Sequence, residues 1–214
     1  MDDDFTLFET MLYRSGRGIR AIRWHMRRLS SSAAALGFSY DEQACRLRLE
    51  SETAMLPSAG LWRVRLDLSR FGGIQVRCAP LEPLDHHRPA FVLEARSVPN
   101  PGEAALALYK TSRRSTYDDE LRWAQSLGAF DAIFFNQSGE LTEGARTNVF
   151  IRVAGVWKTP PLTCSVLPGT LRARVLSHCA AVQEVAIDRE EFRKAERIVL
   201  SNALRGLIPV VLHP

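Results

Sequence analysis

Lysine is scarce in this 214-residue chain: of 28 basic residues only Lys110, Lys158 and Lys194 are lysines, and the rest are arginines. Lysine is therefore not the chain's usual means of wetting its surface, and the one that closes the apolar run in ALALYKTSRR needs its own explanation. Long hydrophobic runs are lacking too. No stretch has the length of a membrane span, and the N-terminus lacks the apolar core of a secretory signal. The four cysteines, Cys45, Cys78, Cys164 and Cys179, fall at no close metal-ligand spacing. No metal site is expected, and a reducing cytoplasm is the expected setting. One-sided charge is also missing: acids accompany the arginines nearly everywhere, the net charge is +4 and there is no basic tail. Neither nucleic acid nor membrane is an expected partner.

What is present is enough apolar residue, 46%, to bury one large core or two small ones without staples. FTLFETMLY (5–13) reads as a strand and RSGRG as a turn. Over 22–36, Ile22, Met26, Leu29, Ala33 and Leu36 recur at helical spacing, and Gly37 supplies a left-handed stop. A second helix is expected at about 40–56, with Ala44, Leu47 and Met55 facing a core and Arg46, Arg48 and Glu50 in water. LWRVRLDLS (61–69) alternates, setting Trp62, Val64, Leu66 and Leu68 against Arg63, Arg65 and Asp67. IQVRCA and FVLEARSV (91–98) read as further strands of the first half.

Pro99, Asn100, Pro101 and Gly102 are poor strand material and read as a connector. Beyond them come a helix through ELRWAQSLG, three short strands forming an antiparallel ribbon in AFDAIFFNQSGELTEGARTNVFIRVAGVW, and a turn running into a helix in LPGTLRARVLSHCA. A short helix near DREEFRKA and the strands ERIVLSNAL and GLIPVVL complete the chain. No internal repeat or low-complexity segment is present. The expectation is an α+β protein of two parts, a smaller domain over 1–98 and a larger one over 104–214, joined by a connector at 99–103.

Three groups in this frame are suited to chemistry. Lys110 reads either as a strand lysine extending to solvent or, beside Arg113 and Arg114, as an amine kept neutral for Schiff-base work. Glu143 in ELTEGARTNVF reads either as a solvated partner of Arg146 or as an acid held beneath a heteroaromatic ring nitrogen. LPGTLR (167–172) offers Gly169 for close approach and Thr170 at a helix start, where first-turn amides suit a phosphate or merely begin a helix. Arg28, in the basic stretch WHMRRL, is a second possible phosphate group. Asn148, Ser201 and Asn202 read as caps at strand ends. His86 and His87 beside Asp85 read as a polar loop rather than a metal site, and Ser177 next to His178 lacks a third member for a triad.

The ordered set LFETM (7–11), WHMRRLSSSAAALGF (24–38), YKTSRRSTYD (109–118), GELTEGARTNVF (139–150), TPPLTCSVLPGTLR (159–172) and VLSNALRG (199–206) resembles the class IV, fold-type IV pyridoxal-phosphate enzymes. Within them it is most similar to the aminodeoxychorismate lyases, including lyase-like domains fused to aminodeoxychorismate synthase component I. The resemblance implies a two-domain fold of the D-amino-acid aminotransferase type with pyridoxal 5'-phosphate as cofactor. It implies that Lys110 anchors the cofactor through its amine and moves protons, and that Glu143 contacts the pyridine nitrogen. Arg28 with Gly169, Thr170 and Leu171 would hold the phosphate, and Ser201 and Asn202 would line its other side. Ala203 stands where branched-chain transaminases have a threonine, and that hydroxyl contact is not carried over.

The implied reaction converts 4-amino-4-deoxychorismate to 4-aminobenzoate and pyruvate. Arg65, Arg114 and Arg205 are the expected carboxylate ligands of the substrate, because guanidinium groups bind carboxylates in a bidentate way; Arg63 or Arg113 would replace them after a small shift in alignment. The tyrosine that lies five residues beyond the lysine in branched-chain transaminases is Ser115 here, with Tyr117 two residues farther on, which favours the lyase. A class IV amino-acid transaminase, or an inactive interaction domain, is the alternative. The resemblance also implies a homodimer and functional association with aminodeoxychorismate synthase. The chain starts almost directly at the family's strand, as in the fused domains.

Overall fold

The apolar and β-branched content of LFETMLYR becomes β1 (Leu7–Arg14), which pairs antiparallel with the two-residue β2 (Gly18–Ile19) and, along its whole length, with β3 (Leu61–Leu68). The computed structural model describes residues 5–84 and 90–213. With β4 (Ile74–Pro80) these strands form a four-stranded sheet in the order β2-β1-β3-β4. α1 (Ile22–Leu36) packs on β1 and α2 (Glu42–Ala54) on β4. Gly37 ends α1 at φ 70, where its amide donates to the Ala33 carbonyl. Leu7, Met11, Met26, Leu29, Val64, Leu66 and Leu68 are fully buried, each side chain contributing about 1.5–3 kcal/mol of hydrophobic stabilisation.

α2 turns a different face inward from the one expected. Cys45, Leu49 and Thr53 are buried at a spacing of four, while Leu47 is 58% and Met55 84% exposed. The Asp41 carboxylate caps the Ala44 amide at 3.0 Å and so sets where the helical turns begin.

β5 (Ala90–Glu94) is not a strand of the first part. It pairs in parallel with β12 (Gly206–Leu212) and with β6 (Asp131–Phe135), inside an eight-stranded mixed sheet. The remaining strands are β7 (Leu141–Gly144), β8 (Asn148–Val153), β9 (Val156–Thr159), β10 (Val182–Glu184) and β11 (Arg197–Asn202), in the order β10-β9-β8-β11-β12-β5-β6-β7. The expected three-strand ribbon is instead two antiparallel hairpins, β6/β7 and β8/β9. β8 takes β11 as its other neighbour, so β7 and β8 are not paired. α3 (Pro101–Ala104), α4 (Ser115–Ser126), α5 (Thr170–His178) and α6 (Arg189–Arg193) accompany this sheet.

The described residues fall into two compact units, and the division differs from the expected one. The first unit comprises residues up to Leu84 together with Tyr109–Arg113; the second takes the rest. Residues 99–103 fall inside the second unit, and that stretch is ordered by its own polar groups. Asn100 and Glu103 form a reciprocal capping box on α3, and Glu103 also accepts from the Thr116 amide at 2.8 Å and the Ser115 hydroxyl at 3.1 Å. His86 and His87 lie outside the described residues. Among the described residues no helix is long and apolar enough to cross a membrane, and no group of three or more His, Cys, Asp or Glu is placed to hold a metal.

Candidate active site

In the first unit, β2 covers only the far end of β1, so the backbone at Thr6–Phe8 has an edge to offer. Tyr109–Arg113 occupies it. The Phe8 amide donates to the Lys110 carbonyl at 2.9 Å, the Ser112 amide donates to the Thr6 carbonyl at 2.9 Å, and Leu7 bridges Thr111. Lys110 is therefore fixed by backbone pairing to FTLF, and its Nζ stands 4.5 Å from the centroid of the Phe8 ring. The Arg65 guanidinium lies 3.8 Å from the same ring. Arg65 and Lys110 thus share one aromatic platform. Arg65 is also clamped to Asp67 through Nε and Nη2, and Arg77 reaches the other oxygen of that carboxylate at 2.7 Å. Arg113 rests over Phe5.

On the same strand, Glu9 is buried against α1. Its Oε1 accepts from Arg28 Nε at 2.7 Å, and its Oε2 meets both Arg28 Nη2 and His25 Nδ1 at 2.6 Å. Burial raises the pKa of this carboxyl, but the charges and hydrogen bonds of Arg28 and His25 more than reverse the effect and bring it to about 2. Glu9 consequently fixes the orientation of Arg28 and neutralises its charge. Sequence pattern alone points to Arg28; the glutamate in LFETM and the histidine three residues before Arg28 are the signals that go with it.

In the second unit, Glu143 on β7 is buried, and its Oε2 accepts from the Leu167 amide at 3.2 Å and from Asn148 Nδ2 at 3.4 Å. Asn148 also donates to the Leu167 carbonyl at 2.9 Å and stands opposite Ser201 in the β8/β11 register. A methyl group at Gly169 would come within 1.9 Å of Asn148 Oδ1, so only glycine allows this approach. Glu143, Asn148, Gly169 and Ser201 therefore form one contiguous cradle with Asn148 at its centre. Asn148 does not act as a strand-end cap, since its amide bonds to Glu143 and to the Leu167 carbonyl, and Ser201 makes no capping hydrogen bond through its hydroxyl among the described residues. Asn202 joins two loops, donating to the Arg146 carbonyl at 3.3 Å and accepting from the Arg205 amide at 2.7 Å.

Arg114 opens α4 and is committed within this unit, with Nε to Asp118 at 2.8 Å and Nη2 to the Ala145 carbonyl at 2.6 Å. Tyr117, one turn into α4, packs on Phe134 and borders a cavity of about 440 Å³ whose lining includes Thr142 and Ser165. Burial, with Glu143 and Glu103 nearby, pushes its phenol above the ordinary range. Asp131, completely buried under the turn after Glu143, accepts from the Thr147 hydroxyl and the Ala132 and Arg146 amides, and burial holds its pKa above the usual value.

This donor set fits a phosphorylated heteroaromatic cofactor. Among the described residues no side chain caps the first amides of α5 at Thr170 and the buried Ser201 hydroxyl has no hydrogen-bond partner, while Gly169 lets backbone approach closely. The chain matches the Amino-transferase class IV family over residues 6–212, and it belongs to that family, whose enzymes depend on pyridoxal phosphate. It is 26% identical over 218 residues to a provisionally named aminodeoxychorismate lyase of Schizosaccharomyces pombe, covering 98% of this chain and 90% of that protein. Among solved structures it is similar to a provisionally named amino-acid aminotransferase from Mesorhizobium loti, at 34% identity and a TM-score of 0.90, over 98% of this chain and 100% of that one. A fold IV transaminase from Curtobacterium pusillum aligns at 24% identity and a TM-score of 0.81, over 97% and 78% of the two chains. That likeness bears on the fold alone.

Proposed function

We propose that this enzyme is a 4-amino-4-deoxychorismate lyase, releasing 4-aminobenzoate and pyruvate. The carrying observation is the similarity to the Schizosaccharomyces pombe protein, which runs through nearly the whole of both chains. Bound pyridoxal phosphate supplies an electron sink for the carbon that loses its proton. Lys110 would hold the cofactor through Nζ, and the same amine would take the proton from the amine-bearing ring carbon of the substrate. Its backbone pairing to β1 keeps that amine in place. Glu143, held by Asn148 and the Leu167 amide, presents a carboxylate to the pyridine nitrogen. The first amides of α5, Gly169–Leu171, with Ser201, Asn202 and Arg28, hold the phosphate. Arg65, supported by Asp67, receives a substrate carboxylate, as do Arg114 and Arg205. The reading also carries a cytoplasmic homodimer acting with an aminodeoxychorismate synthase.

The Mesorhizobium loti likeness supports a second reading, an amino-acid transaminase. The two separate in one experiment. Protein reconstituted with pyridoxal phosphate is assayed in parallel for pyruvate release from aminodeoxychorismate and for amino-group transfer from amino acids to keto acids. Pyruvate release is the expected outcome, and transfer without pyruvate release reverses the ranking.

A further inference from the structure

Arg146 has no part in the reaction as described above, and its surroundings are unusual for an arginine. It follows Glu143 by three residues, in the turn between β7 and β8. Its Nη2 donates to the Phe130 carbonyl at 2.5 Å, its guanidinium covers the Phe130 ring at 4.5 Å, and its Nε is buried with no acceptor among the described residues. Asp131 is the acid whose charge acts on it, yet that carboxylate is spent on the Thr147 hydroxyl and on backbone amides, and no ion pair joins the two side chains. Among the described residues Arg146 is thus a half-buried cation without a contact anion. A buried donor left without an acceptor is a cost that a bound acceptor removes.

Arg205 stands in the turn between β11 and β12, and Asn202 fastens the two turns together through the Arg146 carbonyl and the Arg205 amide. The charge of Arg146 reaches Arg205. Burial, and then the charge of Arg146, lower the pKa of Arg205, and burial lowers that of Arg146. Two partly desolvated guanidinium groups on loops held together in this way are relieved by an oxyanion, which accepts bidentate hydrogen bonds and cancels their repulsion.

We propose that Arg146 and Arg205 together form an oxyanion subsite of the second unit, and that it takes a carboxylate of the substrate. The assignment rests on the reading of the neighbouring cradle as the cofactor site. It extends that reading by making the substrate an amine that carries an acid group of its own for this pair. The cofactor phosphate is a second oxyanion of similar chemistry, but it already has the uncapped start of α5.

The test uses the pyridoxal-phosphate-loaded protein with succinate and inorganic phosphate as probes in calorimetric titrations. Succinate binding is expected to weaken roughly tenfold or more in Arg146→Gln and in Arg205→Gln, as for loss of a hydrogen bond to a charged group. The affinity for pyridoxal phosphate should stay within about twofold, a change too small to signal a lost charged contact. Arg146→Lys keeps the charge and should retain part of the succinate affinity, which guards against a Gln variant that simply misfolds. Succinate affinity unchanged in both Gln variants overturns the proposal. So does a tenfold loss of pyridoxal-phosphate affinity with succinate unaffected, which would assign the pair to the cofactor phosphate, or binding of inorganic phosphate alone. A protein that releases no pyruvate from aminodeoxychorismate, but whose succinate binding still falls in the variants, refutes the lyase reading and supports the subsite.

Discussion

Carboxylates at the candidate site are held by opposite means in the two units. In the first, Glu9 is gripped by Arg28 and His25, and Asp67 by Arg65 and Arg77. Burial works against both carboxylates, yet the arginines more than offset it and each pKa lies below its usual value. In the second, Asp131 is surrounded by a hydroxyl and backbone amides, and burial keeps its pKa raised. Neutral amides likewise hold Glu143. The consequence lies with the cations. Arg28, Arg65 and Arg77 of the first unit are oriented by fixed acids, whereas in the second burial and the charge of Arg146 lower the proton affinity of Arg205. Charge demand for an anion is therefore greater in the second unit, where Arg146 has no ion-pair partner among the described residues, than at the acid-paired arginines of the first.

The largest expected effect lies in the first unit, at Lys110. Lys110→Ala should reduce turnover on the order of 10³-fold, the scale of a lost proton-transfer group. It should also abolish the borohydride-fixed cofactor while noncovalent pyridoxal phosphate still binds. Retained turnover, or cofactor still fixed by borohydride, would place the reactive amine elsewhere.

Next comes Glu9, where one carboxylate neutralises a buried arginine. Glu9→Ala should cost about 3–5 kcal/mol in urea denaturation, the usual penalty for leaving a buried charge without its partner. The pH dependence has a definite sign. Because the folded pKa of about 2 lies below the ordinary 4.5, the stabilisation is complete above about 4.5 and is lost as the pH falls toward 2. Wild-type stability should drop across that window, and Glu9→Gln should flatten the drop. An equally steep loss in Glu9→Gln would move the acid sensitivity to other groups.

In the second unit, where neutral amides hold the cradle, a smaller steric change should suffice. Gly169→Ala keeps an allowed backbone, since φ is −61, but its methyl meets Asn148 Oδ1 at 1.9 Å. Strain of about 1–3 kcal/mol is expected. It should be read as weaker pyridoxal-phosphate binding, with thermal stability nearly unchanged if Asn148 swings away. Unaltered cofactor affinity would detach the Gly169 loop from the phosphate.

Much of this arrangement was legible in the sequence because it depends on local pattern. The apolar period over 22–36 gave α1 with its bounds, and LPGTLR gave the start of α5. What stayed hidden depends on pairing between distant segments. FVLE is equally good strand material for either sheet, and only its parallel partners β12 and β6 place it in the second unit. α2 was misread because Leu47 and Met55 are as apolar as the residues that face inward, and the exposed ones carry no local mark. The motif residues Lys110, Glu143 and Arg28 were visible as residue types at given spacings. The roles of Glu9 in holding Arg28 and of Asn148 in holding Glu143 were not, since a carboxylate or amide buried at its partner looks in sequence like any surface polar residue.

The smallest expected effect tests whether the first unit's pairing is redundant. Asp67 accepts from two arginines, but Arg77 is 60% exposed on an edge strand whereas Arg65 binds through two nitrogens and lies against the Phe8 ring. Solvent screens the outer pair, so Arg77→Gln should cost no more than about 1 kcal/mol in urea denaturation and leave turnover unchanged. A loss above about 2 kcal/mol would exceed the range of an exposed pair. It would mean that Asp67 needs both cations to stay charged, and that Arg65 is held beside Lys110 by the pair together rather than by its own clamp.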